Sequence, residues 1–271
     1  MEHVVIHRSA SPLLRPYVVA LWASENDDPA PRSARELVVP NGGMHLAIRL
    51  DAPLRLFADA ADLRGELLGH AVVGGARTSA HHRCLLTPSR SVGVQLRPGV
   101  ARWLFGAPAA ELAERHTSLD ALWGPAAARL HDRLLEAGTA ESRLRIVEDE
   151  IAARVVEARP LHPLVADALA RLQEDPGLAI ASLAKRAGYS QRRLLDLFRE
   201  AVGLAPKRYA RLLRLQLALP RLAAGHRAID VALAGGYADE AHLHRDLRDV
   251  TGLAVREYRS AGAGAPNHVP R

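Results

Sequence analysis

A single cysteine, Cys84, occurs in 271 residues. One thiol allows no internal disulfide and no multi-cysteine zinc site, which fits a reducing, cytoplasmic setting. Aromatic residues are scarce at 4%, so few rings are available to line a small-molecule pocket, and core packing is the simpler role for each. No stretch reaches the roughly 18 apolar residues that a membrane helix needs. The opening MEHVVIHRSASPLLRPYVVALW is interrupted by His3, His7, Arg8 and Arg15, where a signal peptide would build an apolar core. These absences disfavour a membrane protein, a disulfide scaffold and a secreted precursor.

What is present is 48% hydrophobic content, enough at this length for a core in each of two domains. The formal charge of +6 is unevenly placed. Residues 1–160 hold 19 Lys and Arg against 19 Asp and Glu, whereas residues 161–271 hold 17 against 11, so the whole excess lies in the C-terminal part. A basic domain attached to a neutral one points to a polyanion as the partner of the basic one, although basic surfaces also serve solubility.

From Tyr17 to Arg97 short apolar runs (YVVALW, ELVV, MHLAIRL, LRLF, ELLGHAVVGG, SVGVQL) alternate with turn signals such as DDPAP and PNGG. This pattern predicts an antiparallel barrel or sandwich. After Pro98 the period changes to 3.6 residues, with helices predicted at about 125–136 and 141–157. The prolines of ARPLHPL mark a linker, and helix is predicted from Leu164 to Tyr258 in about seven pieces. The expected architecture is α+β: a β-rich domain with a helical coda over 1–160, an all-α domain over 161–260, and a disordered tail over 261–271.

The all-α part repeats itself. LAKRAGYSQRRLLDLFREAVGLAPKRY (183–209) aligns with VALAGGYADEAHLHRDLRDVTGLAVREY (231–258) at an offset of 48 residues that becomes 49 after Tyr237. Each copy has an alanine for close helix contact, a glycine four residues later that can end the helix left-handed, and an N-cap for the next helix, Ser190 or Asp239. Those are the ingredients of a helix-turn-helix. PKRYARLLRLQLALPRLAAG between the copies spans about 27 Å as a helix, comparable with the DNA repeat, which suits two recognition helices in successive major grooves. Pro220 removes the bond to the Gln216 carbonyl, so it is expected to kink or end this spacer early.

On these residues, the segment 163–260 resembles the tandem helix-turn-helix domain of the AraC/XylS family of bacterial transcription regulators. IDVALAGGYADEAHLHRDLRDVTGL…REYR is close to the family signature, with Val255 where a proline is usual and Leu247 where an aromatic is usual. Residues 1–160 resemble an N-terminal domain found on a subset of such regulators, in the PYV…W opening, the PNGG turn, the LRPG step into a helix and a late Leu-Asp-Ala-Leu. The resemblance implies a sensory or dimerising domain and no ligand identity.

In the first recognition helix Leu194 and Phe198 face inward, which leaves Arg192, Leu195, Asp196 and Arg199 as an outward stripe. Arg192 suits guanine, Asp196 cytosine and Leu195 a thymine methyl. Ser190, Gln191 and Arg193 flank the stripe. A solvated charged face is the plainer reading of the same residues. In the second, Leu243 and Leu247 face inward and Ala241, His244, Arg245 and Arg248 outward, with Glu240 and His242 beside them. Arg245 is the first choice for a base contact.

Two imidazoles and two carboxylates crowd into ADEAHLHRD, yet they do not make a metal site. His242 and His244 lie about 200° apart on a helix, and only Glu240 and His244 share a face. No cofactor is indicated. HHRC (81–84) reads as incidental histidines, since a third ligand such as His45 or His70 would have to come from elsewhere. The partners implied are double-stranded DNA at two adjacent half-sites, a small-molecule effector, a second copy of the chain, and RNA polymerase for an activator. The competing readings are an enzyme localised on DNA, against which the lack of an acceptor-thiol cluster counts, and an N-terminal domain that only binds other proteins.

Overall fold

The computed structural model describes residues 4–26, 35–59, 61–84, 89–261 and 267–270. The DDPAP turn and most of the tail fall outside them. Strands β1 (Val4–Arg8), β2 (Val18–Asn26), β3 (Arg35–Val38), β4 (Met44–Arg49), β5 (Leu54–Phe57), β6 (Glu66–Gly69), β7 (Ala71–Gly74), β8 (His81–Cys84) and β9 (Ser89–Leu96) come first. They lead into helices α1 (Ala101–Phe105) and α2 (Ala109–Leu112), strand β10 (His116–Ser118) and helices α3 (Leu119–Trp123), α4 (Pro125–Glu136) and α5 (Ala140–Arg154).

Two antiparallel sheets result, ordered β1-β2-β9-β4-β7-β10 and β11-β3-β8-β5-β6, where β11 is the C-terminal strand His268–Pro270. Among the described residues no ladder joins the two sheets, so the domain is a sandwich and not a closed barrel. The run ELLGHAVVGG, expected as one strand, divides between the sheets: Gly69, at φ +108°, turns the chain from β6 into β7.

Alternation assigns the faces. Leu46 and Ile48 on β4, Val92 and Val94 on β9, and Leu21 and Ala23 on β2 are cross-strand neighbours and fully buried. Glu25, on the same face of β2, bonds Arg143 of α5 at 2.5 Å, so this face lies beneath the helical coda. The opposite face turns toward the second sheet, and there Arg49 reaches the Cys84 carbonyl of β8.

The second half is helical: α6 (Pro163–Glu174), α7 (Ile180–Arg186), α8 (Gln191–Val202), α9 (Pro206–Ala223), α10 (Ala228–Ala234), α11 (Glu240–Thr251) and α12 (Val255–Ser260). Two expectations need correction. Pro220 does not end the spacer early, because α9 continues to Ala223. Leu219 and Leu222 are fully buried on either side of it, and their packing offsets the lost backbone bond. The tail is not wholly disordered either. Residues 268–270 pair antiparallel with Glu36–Val38 of β3 and extend the N-terminal sheet.

Candidate nucleic-acid interface

Both helix-turn-helix copies are built as their sequences suggest. Gly188 and Gly236 stand at φ +74° and +71°, ending α7 and α10 in the left-handed region that a side chain resists. Ser190 Oγ then accepts from the Arg193 backbone N–H at 3.2 Å, and Asp239 Oδ1 from the His242 N–H at 2.6 Å, capping α8 and α11. Leu194, Phe198, Leu243 and Leu247 are fully buried, which fixes the rotation of each helix.

With that rotation set, Gln191, Arg192, Arg193, Asp196 and Arg199 are exposed on α8 and Leu195 is half-buried. On α11, Ala241, His244, Arg245 and Arg248 are exposed. Glu240 is half-buried beside them, 3.4 Å from His244 Nε2. Arg192 and Asp196 are 4.0 Å apart, a loose exposed pair that DNA could separate at small cost. His242 is drawn inward: its ring stands edge-on to Tyr237 at 5.1 Å, with Nε2 3.9 Å from Asp246.

Asp246 is the residue that sequence reasoning missed. It is 4% exposed on α11, and its Oδ1 accepts from Arg211 Nε of α9 at 2.8 Å, while Arg211 also bonds Asp249 at 2.7 Å. The signal was available, since positions 243, 246, 247 and 250 form one inward helical stripe. Burial, and then the charge of Asp246, raises the Tyr237 hydroxyl's pKa above the usual range.

Elsewhere, HHRC forms β8. His81 lies 4.6 Å from His116 ring to ring, and His45 lies 6.1 Å from His116. Burial, then the charges of Arg77 and Arg83, lower all three imidazoles, His45 to about 4 and His116 to about 3. His70 is apart from them, against His131 at 4.7 Å. Among the described residues no group of three or more His, Cys, Asp or Glu side chains is arranged to hold a metal ion.

Residues 183–261 match a family described as a helix-turn-helix domain, and residues 7–118 match one described only as a domain of unknown function. A Streptomyces lividans protein, provisionally described as an AraC-like transcription regulator, is 33% identical over 100 residues. That match covers 36% of this chain and spans only a third of the relative's length. Among solved structures, an AraC-type DNA-binding regulator from Chromobacterium violaceum is 25% identical over 38% of this chain and 95% of its own, with a TM-score of 0.34. Apo ToxT from Vibrio cholerae is 10% identical over 93% of this chain and 99% of its own, with a TM-score of 0.49. Residues 183–261 are an AraC-type helix-turn-helix domain, joined to a distinct N-terminal domain.

Proposed function

We propose that this protein is a sequence-specific DNA-binding regulator of transcription, in which α8 and α11 read adjacent half-sites in the major groove. The observation that carries the reading is the pair of exposed stripes on repeat-related helices, Arg192, Leu195, Asp196 and Arg199 on one, Ala241, His244, Arg245 and Arg248 on the other. Ser190, Gln191 and Arg193 flank the first stripe, with Arg193 placed for phosphate, and Glu240 and the inward-turned His242 border the second. Arginine in such a stripe can make a bidentate contact to guanine, worth about 1–3 kcal/mol of discrimination.

Control by the N-terminal domain belongs to the same proposal. The Gly99 N–H donates to the Ala201 carbonyl at 2.8 Å and the Ala80 N–H to the Val250 carbonyl at 2.7 Å. Ala201 and Val250 occupy equivalent places in the two copies, 49 residues apart, each in the last turn of a recognition helix, where carbonyls lack a helical partner. The N-terminal domain thus grips both recognition helices at matching points. An effector or a second copy that shifts the 77–81 segment against the Gly99 turn would change how the two stripes are presented.

Selection of bound duplexes from a random pool, followed by gel shifts, tests the reading. Arg245→Ala should lose preference for the selected sequence while keeping weak general binding. A wild-type protein that enriches no sequence would overturn it.

A further inference from the structure

The second copy carries a surface feature that borders its outward stripe at His244. A groove of about 750 Å³ opens between the start of α10, the outer face of α11 and α12. Arg227, Ala228 and Ile229 form one rim, Val255, Arg256, Arg259 and Ser260 the other, and Glu240 and His244 of α11 lie between them. Because His244 belongs to the stripe assigned to base edges, whatever meets that stripe also faces the two rims.

The arginines differ in what they already do. Arg259 is committed to the fold: its Nε donates to the Leu222 carbonyl at 3.2 Å, and its Nη2 bonds the His226 carbonyl. Arg227 is held only loosely, with Nε 3.8 Å from Asp230 and its side chain 81% exposed. Arg256 is exposed on the opposite rim. The repeat adds an independent observation. Arg256, second residue of α12, corresponds to Lys207, second residue of α9, so both copies place a cation there. Arg227 corresponds to Ala179, so only the second copy has a cation on the other rim.

We propose that Arg227 and Arg256 grip two backbone phosphates of the duplex, one from each rim, and so fix the register of α11 on its half-site, while the first copy has only Lys207 for this purpose. The inference rests on the DNA-binding reading. Guanidinium groups suit the task, since they pair with phosphate oxygens through two N–H donors at once. Phosphate contacts carry no sequence information; they set position and salt dependence.

The test uses the full chain with two fluorescent duplexes, one selected from a random pool and one scrambled, and binding measured by anisotropy from about 50 to 300 mM KCl. Each phosphate neutralised, with release of its counterions, contributes about 0.9 to the slope of log affinity against log salt. Arg227→Ala with Arg256→Ala should lower the slope by about 2 and weaken both duplexes equally, about tenfold near 0.1 M salt. Lys207→Ala alone should lower it by about 1, and the paired Arg→Lys variant should keep the wild-type slope. An unchanged slope in the double variant, or a loss confined to the selected duplex, would overturn the proposal. A wild-type chain that binds no duplex would instead overturn the DNA-binding reading itself. Unchanged circular dichroism and melting temperature in the variants separate lost contacts from lost fold.

Discussion

The two helix-turn-helix copies share a skeleton and differ in what holds it down. In the first, inward position 197 is leucine, half-buried, and Phe198 meets Tyr209 of α9 edge to face at 5.7 Å. In the second the equivalent position is Asp246, buried and bonded to Arg211 of the same α9. The tyrosines after the turn diverge likewise: Tyr189 is 43% exposed against His162, whereas Tyr237 is 4% exposed with Arg214 above its ring. The spacer helix is therefore joined to the first copy by apolar packing and to the second by a charged network. The same sequence skeleton tolerates either because the glycine turn and the capped helix are set locally, whereas the inward surface answers to its neighbour.

Removing the charge is the most severe way to break this difference. Asp246→Ala leaves Arg211 half-buried with only the exposed Asp249 for a partner, and should cost about 2–4 kcal/mol in urea unfolding. Asp246→Leu, which installs the first copy's residue, should cost less than the alanine variant, because a leucine fills the space. Leu197→Ala should cost about 1–2 kcal/mol, below the range for a fully buried leucine. If Asp246→Ala costs no more than Leu197→Ala, the network holds nothing and the contrast fails.

The attachment to the N-terminal domain is where the copies look most alike, and it can be broken one side at a time. Ala80→Pro removes the N–H that meets Val250, and should release α11 while leaving α8 in place. Gly99→Ala attacks the other side, since Gly99 sits at φ +91° and a Cβ there would lie 2.2 Å from Leu161 Cδ2. Each should destabilise by about 1–3 kcal/mol. Hydrogen exchange should rise at the C-terminal turn of the matching helix only. Equal exchange in both helices from either variant would mean that the domain is not gripping two separate points.

How far the sequence could reveal all this follows from how local each feature is. The caps at Ser190 and Asp239, the turns at Gly188 and Gly236 and the outward stripes depend on residues within one or two turns, so periodicity and spacing disclosed them. The strand β11 pairs with β3 across most of the chain, and nothing in HVP announces a partner so distant. Pro220 misled because a local rule was outweighed by the burial of Leu219 and Leu222. Asp246 lay in plain view, but an aspartate on an inward stripe is read as surface until Arg211, on another helix, accounts for it.

Acid should distinguish the two copies more gently, through the histidines behind Ala80. His45, His81 and His116 are kept neutral in the fold, with pKa values below the ordinary 6.5. A depressed imidazole binds fewer protons folded than unfolded, so its stabilising contribution is complete above about pH 6.5 and declines as pH falls toward the folded value, about 4 for His45. Each such histidine should cost up to ~1 kcal/mol per pH unit over that window. His81 adjoins Ala80, which holds the second recognition helix, whereas the Gly99 contact to the first lies in the turn after β9. Hydrogen exchange measured between pH 6.5 and 5 and corrected for the intrinsic pH dependence should show protection lost at the end of α11 before the end of α8. His45→Gln should shallow the acid loss of overall stability, because glutamine takes up no proton. Simultaneous loss at both helix ends would place the acid response in the sandwich as a whole and leave the two copies equal in this respect.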